Sequence, residues 1–208
     1  MTEIRDRLDA SRAAKPGREI APWAINLMTH SSNKTLGLDL ALVEKHQPPI
    51  VITALGSPKP AIETGHAYGG LVFADVISIK LARKAVEAGA DGLACICAGA
   101  GGHTGHLSPF SFVSAVREFF DGYIVVGGGI ADGAGVAGAI AAGADFVYMG
   151  TRFIAAAESL AHEAYKQMLI DCGADDLVIS AAISGTPASW LKPSLIACGY
   201  TDETVRGT

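Results

Sequence analysis

Three stretches decide the fold: Lys84–Ile96, KAVEAGADGLACI; Ala137–Met149, AGAIAAGADFVYM; and Met168–Ser180, MLIDCGADDLVIS. Each runs from a helix-like segment into Gly89, Gly143 or Gly173, then Ala-Asp, then an apolar run. Glycine just past a helix end supplies the left-handed backbone that closes the last turn. The apolar run after it has the length of a buried strand. A junction repeated in this form marks αβ units laid side by side in a parallel sheet.

Working outward, the pattern predicts six strands, near Ile20–Met28, Pro49–Leu55, Gly70–Val76, Asp91–Ala98, Gly122–Gly127 and Asp145–Met149. Apolar stripes predict the helices between them: Leu38, Leu42 and Val43; then Ile79, Ala82, Ala85 and Val86; then Val113, Val116 and Phe120. Ala134–Ala142 is apolar almost all round, as a tightly packed helix would be. Ala155–Ile170 reads as a long amphipathic helix, and the third junction offers a seventh strand. The stretch after it is rich in turn formers and reads as a lid or a C-terminal extension. A closed (β/α) barrel takes eight strands and typically about 250 residues. With 208 residues, the alternatives are two unread strands, an incomplete barrel, or an open doubly wound sheet.

Composition agrees with a covered parallel sheet. Half the residues are hydrophobic, 25 are glycine, and 18% are charged, below the ~25% of an ordinary soluble domain. The net charge is −5 with no run of one sign, which excludes nucleic acid and an anionic membrane as expected partners. The charged start has no apolar leader core, and no apolar stretch approaches the ~20 residues of a spanning helix. Cys95, Cys97, Cys172 and Cys198 do not form a small-scaffold disulfide pattern, so a reducing cytoplasm is the expected setting.

Three loops carry candidate chemistry. Ala98–His106, AGAGGHTGH, directly follows the run LACIC. Closely spaced glycines let the backbone turn tightly and approach a ligand. Loops at the carboxyl ends of parallel strands are where ligands bind. His103 therefore sits where a general acid or base is useful; the competing reading is a histidine that bonds loop carbonyls. A metal reading, Cys95 and Cys97 with His103 and His106, has the wrong cysteine spacing, so no metal is expected. The other loops are Val125–Gly133, VVGGGIADG, and Tyr148–Phe153, YMGTRF. Both follow apolar runs, on successive units, and together they form an anion cradle. Thr151 adds a hydroxyl donor, and Asp132 is placed to cap the next helix. The order GGGIADG does not match the dinucleotide fingerprint.

AGAGGHTGHLSPF, VVGGGIADGAGVAGAIAAGADFVYMGTRF and WAINLM together resemble the nitronate monooxygenase (2-nitropropane dioxygenase) family, from about Ile20 to Leu195. The resemblance implies an FMN-dependent TIM-type (β/α) barrel, incomplete at its N-terminus, with about six of eight strands. It assigns residues 1–153 to the barrel units that carry the FMN site. Residues 154–208 become a C-terminal helix and lid-like extension of the same domain. His103 matches the catalytic base. Gly128, Gly129, Gly150 and Thr151 match the FMN phosphate site, and Asn26 matches a polar residue near the flavin ring. The chain departs from the family in lacking its first strand and glycine-rich second strand. It also carries Asp75 where some members place a lysine near the flavin.

The implied activity is oxidation of a nitro compound by FMN and O2, yielding a carbonyl compound and nitrite. Two alternatives stand beside it. One is an FMN-dependent NAD(P)H reductase of quinones or enoyl substrates. The other is an inactive truncated barrel, or one completed within a homo-oligomer.

Overall fold

The repeated aspartate, not only the glycine, builds the junctions. The computed structural model describes residues 1–201, 204 and 205, so the last few positions of the expected 154–208 extension lie outside the described residues. They divide into two compact units, residues 1–75 with 83–93, and residues 76–82 with the described residues from 94 onward. The elements run in the order α1 (Thr2–Ala14), β1 (Ala24–Met28), α2 (Leu36–His46), β2 (Ile50–Ala54), α3 (Lys59–His66), β3 (Leu71–Val76), α4 (Ile79–Glu87) and β4 (Gly92–Ile96). There follow β5 (Gly102–His103), α5 (Pro109–Arg117), β6 (Tyr123–Gly127), α6 (Gly133–Ala141), β7 (Phe146–Tyr148), α7 (Thr151–Ile154) and α8 (Glu163–Asp171). A short 3-10 turn, β8 (Leu177–Ser180), β9 (Ala188–Leu191) and α9 (Lys192–Ala197) complete them.

All six predicted strands form, and one sheet takes them in the order β1-β2-β3-β4-β6-β7. That order follows the chain without reversal. A doubly wound sheet reverses at a switch point; strands added in one direction belong to a barrel. The fold is an incomplete (β/α) barrel.

In the first unit β1, β2 and β3 pair in parallel, with Asn26 opposite Ile52 and Ile52 opposite Phe73. Helix α4 ends in Gly89 at φ +95°, where Ala90 N–H reaches Ala85 O and Gly89 N–H reaches Val86 O. Asp91 then ties strand to strand. Its N–H donates to Val72 O at 2.9 Å, and its Oδ2 accepts Val72 N–H at 2.7 Å. His66 Nε2 donates to the same oxygen at 2.8 Å.

The second unit repeats the device. Gly143 stands at φ +103° after α6, and Asp145 exchanges the same two bonds with Ile124, at 2.8 and 2.7 Å. Arg117 replaces the histidine, donating to Asp145 Oδ2 at 2.6 Å and to the carbonyls of Gly122 and Gly143. The core of this unit holds Phe112, Val113, Val116, Ile124 and Val126, all fully buried.

Five expectations are corrected. Gly173 stands at φ −105°, not left-handed, because Asp176 Oδ2 accepts its N–H and turns the chain into the 3-10 element. The strand that follows, β8, leaves the parallel sheet and pairs antiparallel with β9, which pairs with β5. The expected helix over 155–170 is confined to α8, because Ser159 Oγ and His162 Nδ1 accept nearby backbone N–H groups and start the helix late. Of the Leu38, Leu42 and Val43 stripe only Val43 is buried, and in α6 only Ala139 is buried, so neither helix is covered as its pattern suggested. No helix among the described residues is long and apolar enough to cross a membrane.

Candidate functional site

The second unit brings its three glycine loops together, backbone against backbone. After β4, Cys97 N–H donates to Gly127 O at 2.7 Å, and Ala98 N–H donates to Leu107 O at 2.8 Å. The next loop leans on this one: Gly129 N–H donates to Gly99 O at 2.9 Å. Gly128 holds φ +132°, and a Cβ there would stand 2.8 Å from Cys97 O. From the third loop, Thr151 Oγ1 lies so near Gly101 that a Cβ on Gly101 would overlap it. The histidine loop is thus touched by both glycine turns. At Gly129 and Gly150 the place of a Cβ is open space. Asp132 caps α6 as expected, its Oδ1 accepting Gly135 N–H at 2.9 Å.

His103 is fixed through its backbone. Gly102 and His103 form β5 and pair with Ser189 and Ala188 of β9. Ser189 Oγ donates to Ala100 O at 2.7 Å, and Thr104 Oγ1 donates to Cys97 O at 3.1 Å. The ring of His103 is exposed, and no described hydrogen bond engages it. The reading as a carbonyl-bonded structural histidine is therefore not what the structure shows. His106 is exposed as well. This clamp has little local signature, since β9 is a four-residue strand between Pro187 and Pro193.

Cys95 and Cys97 are buried packing groups. Burial pushes the Cys95 thiol up to about 12, with Cys97 adding to it, and the Cys97 thiol up to about 11. Thiolate, the metal-binding form, is disfavoured at both. Among the described residues no cluster of histidine, cysteine or carboxylate groups could hold a metal.

Asn26 belongs to the first unit, exposed on β1. Two residues beyond Phe73 on β3, and so on the same face of that unit's strands as Asn26 and Phe73, stands Asp75. Burial pushes its carboxyl up to about 7, and its Oδ1 is buried without a hydrogen-bond partner. Thr29 Oγ1, just past β1, is buried and unpartnered too. Composition and spacing carry no signal for either orphan.

The family model for nitronate monooxygenase matches residues 5–204. The chain belongs to the nitronate monooxygenase family. It is 39% identical over 128 residues to a nitronate monooxygenase of Neurospora crassa, an alignment that covers 57% of this chain and 34% of that one. It is 30% identical over 186 residues to a hydroxy-methyl-oxo-octahydro-indene-carboxyl-CoA dehydrogenase of Rhodococcus jostii, covering 89% and 52%. The structure of FabK from Thermotoga maritima superposes with a TM-score of 0.76 at 31% identity, covering 91% of this chain and 59% of that one. A nitroalkane oxidase from Streptomyces ansochromogenes superposes with a TM-score of 0.75 at 24% identity, covering 91% and 66%, and shares the fold. This nitronate monooxygenase-family chain thus spans about half the length of the curated relatives it matches over most of its own.

Proposed function

We propose that this chain binds FMN and oxidises alkyl nitronates and nitroalkanes with O2 to a carbonyl compound and nitrite. The observation that carries the reading is the convergence of the His103 loop with both glycine turns, through the Gly99–Gly129 bond and the Gly101–Thr151 contact.

The residues present fit a flavin phosphate. Open space stands before Gly129 and Gly150, where any side chain would intrude. Thr151 supplies a hydroxyl, and the bare backbone of Gly128 and Gly150 lets an anion approach closely. Gly129 contributes room more than a donor, since its N–H is engaged by Gly99.

Bound FMN would supply the electron acceptor of the reaction. The protein's own part is proton transfer. A neutral imidazole nitrogen of His103 removes the α-proton of a nitroalkane. The C–H bond breaks, its electron pair moves into the nitro group, and the proton stays on the ring until solvent takes it. A substrate supplied as the nitronate anion has already lost that proton. His103→Asn should therefore lose nitroalkane turnover by about 10²–10⁴ and nitronate turnover far less. Equal losses on both substrates would remove the proton-abstraction role.

The likeness to FabK and to the CoA-ester dehydrogenase favours a second reading, an FMN-dependent reductase that uses NAD(P)H. Mixing the flavin-loaded protein with NADPH or NADH without oxygen separates the two. Rapid bleaching of the flavin band supports the reductase, and an unchanged band supports the oxidase.

A further inference from the structure

The tip of the His103 loop is held from outside the loop. Residues 98–102 include three glycines, and Gly99 and Gly102 stand at φ +89° and +72°. Such backbone loses much freedom on ordering, so whatever pins it decides where the histidine ring stands. Within the loop, Ala100 N–H and Thr104 Oγ1 donate to Cys97 O at 3.3 and 3.1 Å. The stretch between those anchors is held by a segment of the same unit some 85 residues on. Thr104 N–H donates to Pro187 O at 3.2 Å, His103 pairs with Ala188, and Gly102 pairs with Ser189. These three holds need only backbone on the far side. The fourth needs a particular side chain: Ser189 Oγ donates to Ala100 O at 2.7 Å, and Ala100 is buried. β9 is itself braced, paired with β8 along its length, with Trp190 Nε1 donating to Ser180 O at 3.3 Å. Ser189 lies opposite Gly102, so alternation puts its side chain on the face away from His103.

We propose that Ser189 is a positioning residue for His103, its bond to Ala100 O holding the glycine loop in the arrangement from which the imidazole reaches a substrate's α-proton. The inference rests on the proton-abstraction role given above and names the residue that sets its geometry. A general base works within about 2.6–3.2 Å of the atom that carries the proton. A displacement of about 1 Å can cost on the order of 10²-fold in rate. Without the hydroxyl, Ala100 O loses this donor, and the glycines on either side let the loop settle elsewhere. Ser189 acts through backbone and does not share the ring's face, so its loss misplaces the base without altering the base's chemistry. A nitronate has no α-proton to give up and is indifferent to that placement.

The test compares wild type, His103→Asn, Ser189→Ala and Ser189→Thr, each loaded with FMN, on one nitroalkane supplied neutral and as its nitronate. Ser189→Ala should lose about tenfold to a hundredfold in kcat on the nitroalkane, and about tenfold less than that on the nitronate. The pH dependence of its remaining nitroalkane turnover should keep the wild-type shape. Ser189→Thr keeps a hydroxyl and should recover most of the loss. Amide hydrogen exchange at residues 101–104, which reads the loop without any turnover, should quicken about tenfold in Ser189→Ala and not in Ser189→Thr. A serine that only supports the fold would lower both turnovers alike, and that result overturns the inference. So does unchanged exchange at 101–104, or a Ser189→Thr no better than Ser189→Ala, while His103→Asn still separates the two substrates. If wild type turns over neither substrate, or His103→Asn loses both equally, the reading above fails and this inference fails with it.

Discussion

At Gly128 the backbone stands at φ +132°, and a methyl group would press on Cys97 O at 2.8 Å. Cys97 O and the nearby Ala98 O, 3.0 Å away, are both backbone atoms, so the loop itself must shift. A strained conformation of this sort costs about 1–3 kcal/mol. Gly128→Ala should therefore lower the melting temperature and weaken FMN binding. Gly138→Ala is the matched control, since Gly138 lies inside α6 with nothing within 4 Å of its Cβ position. It should stabilise the protein by about 0.5–1 kcal/mol. If both variants melt alike, the close approach at Gly128 carries no weight. Sequence marks the three loops themselves, because the glycine-rich stretches that hold His103, Gly128, and Gly150 with Thr151 each follow an apolar run, which is a local feature. What stayed hidden depends on neighbours far along the chain, such as the Gly129 N–H that Gly99 takes, or the missing partner of Asp75.

Two of the three similar junctions behave as their shared pattern predicts, and the third does not. Gly89 and Gly143 close their helices in left-handed backbone, and Asp91 and Asp145 each accept the backbone N–H of the second residue of a neighbouring strand. The third has the same Gly-Ala-Asp order, yet Asp176, one residue later, accepts the N–H of Gly173 and pulls the chain into a 3-10 turn. A second acid beside the motif was the only local sign. These bonds predict a ranking. Asp145→Ala leaves Ile124 N–H without its acceptor and Arg117 without its carboxylate, and should cost about 1–3 kcal/mol. Asp145→Asn keeps an acceptor oxygen and should cost less. Asp176→Ala loosens only an exposed turn and should cost under about 1 kcal/mol. Urea denaturation of the three variants gives the order, and a cost at Asp176 equal to that at Asp145 would show that the two junctions are mechanically alike.

For the whole molecule, strand order separated the barrel from the doubly wound alternative, a distinction that local pattern cannot make because both are built from the same αβ unit. Its stability should also carry the mark of Asp75. The folded carboxyl stands at about 7, raised from 3.8. Between these values the folded chain holds a proton that the unfolded chain has released. Stability from this group is therefore greatest at low pH, falls as pH rises from about 4 to about 7, and is constant above. The full loss is on the order of 4 kcal/mol, from about 1.4 kcal/mol per pH unit. That is a large share of the 5–15 kcal/mol of a typical fold. Asp75→Asn removes the titration, so for the flavin-free protein the variant should gain on wild type steadily from pH 4 to 7 and keep the gain at pH 8. Urea midpoints measured at each pH read the difference directly. Parallel curves would mean that water reaches the carboxyl and that its burial costs the fold nothing.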